Sequence, residues 1–324
     1  MEPLALVLAF GLSMLLGRAS IALGERTGLV DIPDAGHLKG HSGRPVPLGG
    51  FGVLVGLHAG LALLGVVDPG LVGATVLLWI VGIADDRAGL HPRVRLMAAG
   101  SAGLLLGLLQ DPFPGWLTLS LYVIVVAVVV NSVNLFDGLD ALAGSVGVVA
   151  AVGLALLAGL RGQGGDAASL VLAAALLGFL MWNLPPARLF LGDNGAYVVG
   201  AALAWSALRF STGWAESVVA VAMIGAPLID LGATVIRRIR ADVPLFGGDR
   251  DHSYDRLHRS GQSVTGVAVV FTLAQVLWTA WIIVFWMWLG DEMAALVGIA
   301  TGVLVAAWLG LGTWRTMGSD ATSG

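Results

Sequence analysis

Eleven apolar runs, separated by short polar breaks, leave this chain few ways to fold. They cover about residues 3–23, 49–67, 71–84, 94–110, 117–134, 142–160, 167–184, 194–209, 215–236, 264–289 and 292–315. A bilayer core takes about 20 mostly apolar residues per helix. Charge is correspondingly scarce: 12% of the 324 residues are Asp, Glu, Lys or Arg, against roughly 25% in a soluble protein. That is too little to cover a water-facing surface, and too little for a disordered chain. The 47 glycines show no three-residue period, which excludes a collagen-like fold. No long basic stretch lies outside the apolar runs, so no nucleic-acid partner is expected. The chain has no cysteine, which removes disulfides, thiolate catalysis and Cys-ligated metals. Met1-Glu2-Pro3 lacks the basic opening of a cleaved signal peptide and reads as the start of a retained first span. The expectation is all-α: one polytopic helical membrane domain over 1–324, with ten to eleven transmembrane helices.

The cations sort by loop. Fourteen of the 17 Lys and Arg residues fall after runs one, three, seven or nine, or in the C-terminal tail. Arg237, Arg238, Arg240, Arg250, Arg256 and Arg259 share the longest interior loop, about 237–263. Arg161 and Arg209 fall on the other side. The positive-inside rule then puts the N-terminus outside and the C-terminus in the cytoplasm, in a cytoplasmic membrane. The cytoplasmic loops become about 24–48, 84–93, 131–141, 184–194 and 237–263.

Acidic residues near a membrane are expensive and tend to be functional. Asp85 and Asp86 close the third run; Asp137 and Asp140 follow the fifth; Asp193 precedes the eighth; Asp249, Asp251 and Asp255 lie in the long basic loop with His252. Each has a structural reading as a helix end, cap or turn, and an arginine-rich loop is often only a topology or headgroup determinant. Independent caps would not all need to share one membrane face. Grouped aspartates without thiols suit a hard divalent cation such as Mg²⁺ with phosphate ligands, and nearby arginines suit phosphate oxygens.

These residues resemble a known family. The order is Asp85-Asp86, then Asn131-x-x-Asn134-x-x-Asp137-Gly138-x-Asp140, then Gly192-Asp193-x-Gly195, then a basic loop with a histidine. It is similar to the polyprenyl-phosphate N-acetylhexosamine-1-phosphate transferases, the superfamily of the GlcNAc-1-phosphate transferases and the phospho-MurNAc-pentapeptide translocase. Lys39-x-His41…Pro45-x-Pro47-x-Gly49-Gly50 also looks like a family element. The resemblance spans about Asp31 to Ser263. It implies Mg²⁺-dependent transfer (Mn²⁺ as an alternative) of N-acetylhexosamine-1-phosphate from a UDP-sugar to a polyprenyl phosphate, for cell-envelope glycan synthesis. UMP leaves and a polyprenyl-diphospho-sugar stays in the membrane. The family also implies a homodimer.

By resemblance, Asp193 is the first metal ligand and Asn134 the second. Asp85, Asp86 and Asp137 are the catalytic carboxylates; Asp85 matches an aspartate that would deprotonate the lipid phosphate, or would position metal or phosphate instead. Leu139, Asp140 and Phe190 match positions around the uracil, and Asn131 belongs to the substrate-binding element. Lys39, Arg250, His252 and Arg256 match diphosphate contacts. The last loop departs from the family: it reads His252-Ser253-Tyr254-Asp255-Arg256 where the GlcNAc-type enzymes carry His-x-His-His. A triple-His pattern is absent, which favours UDP-GlcNAc over the pentapeptide nucleotide. Two other classes compete. A secondary transporter would place its acids near the bilayer midplane, commonly with an internal repeat, and no repeat is visible here. A CDP-alcohol phosphotransferase would need an Arg after its Asp-Gly element, where Leu142 stands.

Overall fold

The helices of this protein end where the sequence places its breakers. The computed structural model describes residues 1–28, 30, 45–110, 115–163, 166–245 and 251–312. Helix α1 (Glu2–Thr27) stops at Gly28, which takes the left-handed conformation that glycine adopts without strain. α2 (Gly49–Leu63) and α3 (Pro69–Ala88) follow. The Asp68 side chain accepts from the Leu71 amide at 2.9 Å, and Pro69 occupies the first helical position, where its missing N–H costs nothing. α4 (Pro92–Leu108), α5 (Trp116–Phe136), α6 (Leu142–Leu160), α7 (Ala167–Asn183) and α8 (Gly192–Leu208) complete the first two-thirds. After them come α9 (Trp214–Ala222), α10 (Gly225–Arg240), the short α11 (Ser253–Arg259) and α12 (Val264–Leu311).

Apolar residues surround most of these helices, on outer as well as inner faces. Long side chains such as Leu4, Val7, Leu15, Leu277 and Trp288 point outward. Small ones pack inward, as expected when lipid rather than water covers the outside. The buried face of α1 includes Ala5, Ala9, Ser13 and Gly17, four residues apart. α2 answers with Gly52 and Gly56: a Cβ on either would lie under 3 Å from a carbonyl oxygen of α1. α8 stands at the centre, buried on every side from Asn194 to Leu208, with α2, α3, α5 and α6 among its neighbours.

The chain is a multi-pass helical membrane protein. Five helices (α1, α3, α5, α6 and α12) are long and apolar enough to cross a bilayer alone, and a sixth span arises if the bent pair α9–α10 is one. α2, α4, α7 and α8 are 15 to 17 residues long. The runs expected at 264–289 and 292–315 fold as the two parts of α12, broken at Gly290 with φ 73°. The run expected at 215–236 bends by 92° between α9 and α10. Pro227 lacks the N–H that would continue the helix and sits in the first turn of α10. The backbone groups freed by the bend are met from α12. Gln275, fully buried, donates to the Met223 carbonyl at 2.8 Å and accepts from the Ala226 amide at 2.8 Å. Trp278 donates to the Ala222 carbonyl at 2.7 Å. Inside a bilayer an irregular backbone persists only when such partners exist.

Candidate active site

Four segments meet at one end of the bundle: the C-terminal end of α3, the C-terminal end of α5 with its following turn, the loop into α8, and the α10–α11 region. α3 and α8 run antiparallel. At the opposite end the Trp205 indole of α8 donates to Asp68 at 2.7 Å, before the start of α3.

Asp85 and Asp86 are neighbours in sequence with different tasks. Asp85 is buried and saturated with donors: Arg95 at 2.8 Å, the Leu90 amide at 2.7 Å and the Tyr197 hydroxyl at 2.5 Å. Asp86 caps the adjacent helix. Its carboxylate accepts from the Asp193 amide at 2.8 Å, the Asn194 amide at 3.2 Å and the Asn194 side chain at 2.7 Å. Those amides belong to the first turn of α8, whose positive end favours a carboxylate. Asn194 also donates to the Pro47 carbonyl at 2.9 Å. Residues 46–50 run beside 188–191: Val46 pairs with Leu189, and Gly49 and Gly50 donate to the Phe190 and Leu191 carbonyls at 2.9 and 3.2 Å.

Asp193 therefore projects from a fixed helix turn. Asn134 reaches it from α5, its amide donating to Asp193 Oδ1 at 2.5 Å. Asp137 follows α5, half-buried, with no side-chain hydrogen-bond donor among the described residues. Burial, then the charges of Asp193, Asp86 and Asp140, push its carboxyl up to about 8. Among the described residues no three His, Asp or Glu side chains form a ready metal cage. Yet a cluster of hard oxygen donors with too few cations suits Mg²⁺, which keeps waters and substrate phosphates in its shell. Asp193, Asp137 and the Asn134 side-chain oxygen are the groups that could hold it.

Asp140 accepts from the Ala187 amide at 2.9 Å and braces the loop that carries Phe190. Asn183 ties the same loop down, accepting from Ala141 at 2.9 Å and donating to Leu189 at 2.8 Å. Leu139 packs beside Phe136 and Tyr254. Asn131 lies exposed on α5. His252 and Arg256 are engaged by protein partners. His252 is buried against Asp230. Arg256 meets Asp251 at 2.7 Å and the Leu309 carbonyl at 3.2 Å. Asp251 also pairs with Arg237 and Arg259. Its partial burial raises its carboxyl, but those guanidiniums outweigh that and hold it below the usual range. Lys39 and Arg250 lie outside the described residues.

Sequence reading missed Asp230, Asn183, Asn194, Tyr197 and Arg95 as site-building residues. Tyr197 follows Asp193 by four residues, one helical turn, and that spacing was the available signal. Elsewhere in the bundle, α5, α9, α10 and α12 enclose an apolar cleft of about 340 Å³, with Leu121, Val125, Val221, Leu228, Trp278 and Val303 on its walls.

Residues 69–211 match the sequence profile of glycosyl transferase family 4. An undecaprenyl-phosphate alpha-N-acetylglucosaminyl 1-phosphate transferase of Salmonella typhi is 29% identical over 279 residues, covering 77% of this chain and 74% of the relative. The protein of that description from Escherichia coli (strain K12) is 26% identical over 285 residues, covering 78% and 75%. A Bacillus subtilis (strain 168) protein, described as a "probable undecaprenyl-phosphate N-acetylglucosaminyl 1-phosphate transferase", is 27% identical over 263 residues, covering 74% and 72%. With the Asp-Asp, Asn-x-x-Asn-x-x-Asp and Gly-Asp elements built into one site, the chain is similar to glycosyl transferase family 4 over residues 69–211 and to these undecaprenyl-phosphate GlcNAc-1-phosphate transferases over most of its length, a likeness that supports a phosphoglycosyltransferase.

Proposed function

We propose that this protein transfers N-acetylglucosamine-1-phosphate from UDP-GlcNAc to a polyprenyl phosphate at the cytoplasmic face of the cell membrane, with Mg²⁺. The observation that carries this reading is the Asp86–Asp193–Asn134–Asp137 cluster at one end of a bundle that also holds an apolar cleft. A reaction between a lipid and a water-soluble nucleotide needs both environments at one point. The cleft suits a prenyl chain, and the polar end suits two phosphate-bearing reactants. The loops at that end carry most of the cations, which supports a cytoplasmic site, an external N-terminus and the eleven-span count.

In this reading an oxygen of the lipid phosphate attacks the β-phosphorus of the nucleotide sugar. The bond from that phosphorus to the oxygen bridging it to UMP breaks, and UMP carries the electron pair away. Mg²⁺, bound by Asp193 and Asn134, would offset the charge of the diphosphate. Asp86 keeps the first turn of α8, and so Asp193, in place. Asp85 serves geometry rather than proton transfer: its oxygens already accept three donors. No strong base is needed, because a phosphate monoester with a second pKa of about 6 is largely ionised near neutrality. Burial, then the neighbouring carboxylates, push the Asp137 carboxyl up to about 8. Phe190, Leu139 and Asp140 flank the uracil, and Lys39, Arg250 and Arg256 contact the diphosphate.

The test uses purified protein, UDP-GlcNAc labelled in the sugar, a polyprenyl phosphate and Mg²⁺. Labelled lipid and UMP in equal amounts, lost on chelation, are expected. A folded sample that labels lipid only with the pentapeptide nucleotide would overturn the donor assignment. One that labels none with any UDP-HexNAc would overturn the function.

A further inference from the structure

α10 presents two faces to the protein. Leu228, Ile229 and Gly232 line the apolar cleft. Asp230 and Thr234, one turn apart, are buried against the segment that leads into α11. Asp230 is only 2% exposed and stands in an otherwise apolar stretch. A carboxylate in that position needs partners, and such residues mark function more often than packing.

Its partner is His252, itself 3% exposed. Nδ1 of His252 lies 2.7 Å from Asp230 Oδ2, and the other oxygen of Asp230 accepts from the Ser253 amide at 2.8 Å. Thr234 Oγ1 stands 3.3 Å from the same Nδ1. One carboxylate thus grips both the imidazole and the first turn of α11. The ring also lies flat on Tyr254, with centroids 5.3 Å apart and planes within 1°. Tyr254 donates to the Leu135 carbonyl at 2.8 Å, and its ring leaves no room for a Cβ on Gly138. His252 is therefore anchored to the turn that holds Asn134 and Asp137. Beyond these contacts and a capping box in which the His252 side chain accepts from the Asp255 amide, the ring has no further hydrogen-bond partner among the described residues.

We propose that Asp230 is a positioning residue: it engages Nδ1–H of His252 and so presents Nε2 to a phosphate oxygen of the nucleotide. A protonated ring donates from both nitrogens; with one donor spent on Asp230, the other faces the ligand. A carboxylate behind an imidazole sets its tautomer and aim in this way. The identity of the ligand rests on the transferase reading above.

The test combines a double-mutant cycle with nitrogen NMR. Asp230→Asn keeps the shape and removes the charge. It is expected to lower kcat/KM for UDP-GlcNAc by about 10–100-fold, the scale for an orienting partner. Because Asp230 acts through His252, Asp230→Asn with His252→Ala should be no slower than His252→Ala alone. Losses that multiply, or an Asp230→Asn enzyme as fast as the parent when His252→Ala is slow, would overturn the proposal. Should Asp230→Asn fail to fold, the unmutated protein still decides. With ¹⁵N-labelled histidine in nanodiscs, adding UDP and Mg²⁺ should move the Nε2 resonance of His252 and leave Nδ1 protonated. An Nε2 resonance that ignores UDP would overturn the proposal. Absent sugar-phosphate transfer by the unmutated protein would instead overturn the transferase reading, and the response to UDP would still decide the role of Asp230.

Discussion

Single carboxylates divide the labour of the site. Among the described residues the Asp193 side chain has one hydrogen-bond partner, Asn134, whereas Asp85 and Asp86 each accept three donors. Asp193→Ala should therefore lose at least about 100-fold in turnover, the scale of a key electrostatic group, with little change in melting temperature. Retained activity would remove Asp193 from the metal site. Asp137 gives a pH signature. Its folded-state value of about 8 lies above the ordinary 3.8, so the fold favours the protonated form. Its contribution turns unfavourable as pH rises from the ordinary value and is fully unfavourable above about 8. Without divalent cation, Asp137→Asn should melt higher than the parent at pH 8.5, with the gap closing toward pH 4. A gap that does not vary with pH would contradict the crowding of these carboxylates. The site was readable in sequence where its acids stand at the ends of apolar runs, as Asp85, Asp86 and Asp193 do. Asp230 was not readable that way. It lies inside a run, where one aspartate barely dents the hydropathy, and its partner His252 is 22 residues away.

Helices hold these residues by close approach and by borrowed hydrogen bonds. Gly82 lets α3 lie against the first turn of α8: a Cβ there would sit 2.3 Å from the Asn194 Cα, a backbone atom with nowhere to go. Gly82→Ala should cost about 1–3 kcal/mol of stability, the usual range for overpacking, and should lower activity by shifting Asp193. Unchanged melting and turnover would show the contact to be slack. Gln275→Leu tests the α9–α10 bend. It leaves the Met223 carbonyl and Ala226 amide unpaired, at about 1–3 kcal/mol for each buried group. A variant as stable as the parent would mean that the bend does not depend on Gln275. The apolar runs foretold most helices, because their ends carry Pro, Gly and Asp. They did not foretell the 92° bend at 223–224. That bend is set by a polar side chain on α12 some 50 positions later, and hydropathy along one run carries no trace of it.

On the scale of the whole molecule, the carboxylate end of the bundle is proposed to face the cytoplasm. The absence of cysteine makes this directly measurable. A single cysteine at Ser260 should be shielded from a membrane-impermeant maleimide in intact cells, and one at Gln163 should be labelled. The reverse pattern would invert the topology and put the site on the wrong side for a nucleotide donor. Resemblance to the family was legible because the motif residues lie in short, ordered clusters; the way those clusters close on one another, with Asp86 of α3 capping α8, appears only in three dimensions. The central claim is that a sugar phosphate, not a sugar, moves to the lipid. The most direct measurement follows the phosphorus: UDP-GlcNAc carrying ³²P at the β-position is given to the purified protein with a polyprenyl phosphate and Mg²⁺. The label is expected to enter the lipid fraction while unlabelled UMP is released. Label that remains in the aqueous phase as UDP, while sugar reaches the lipid, would contradict it.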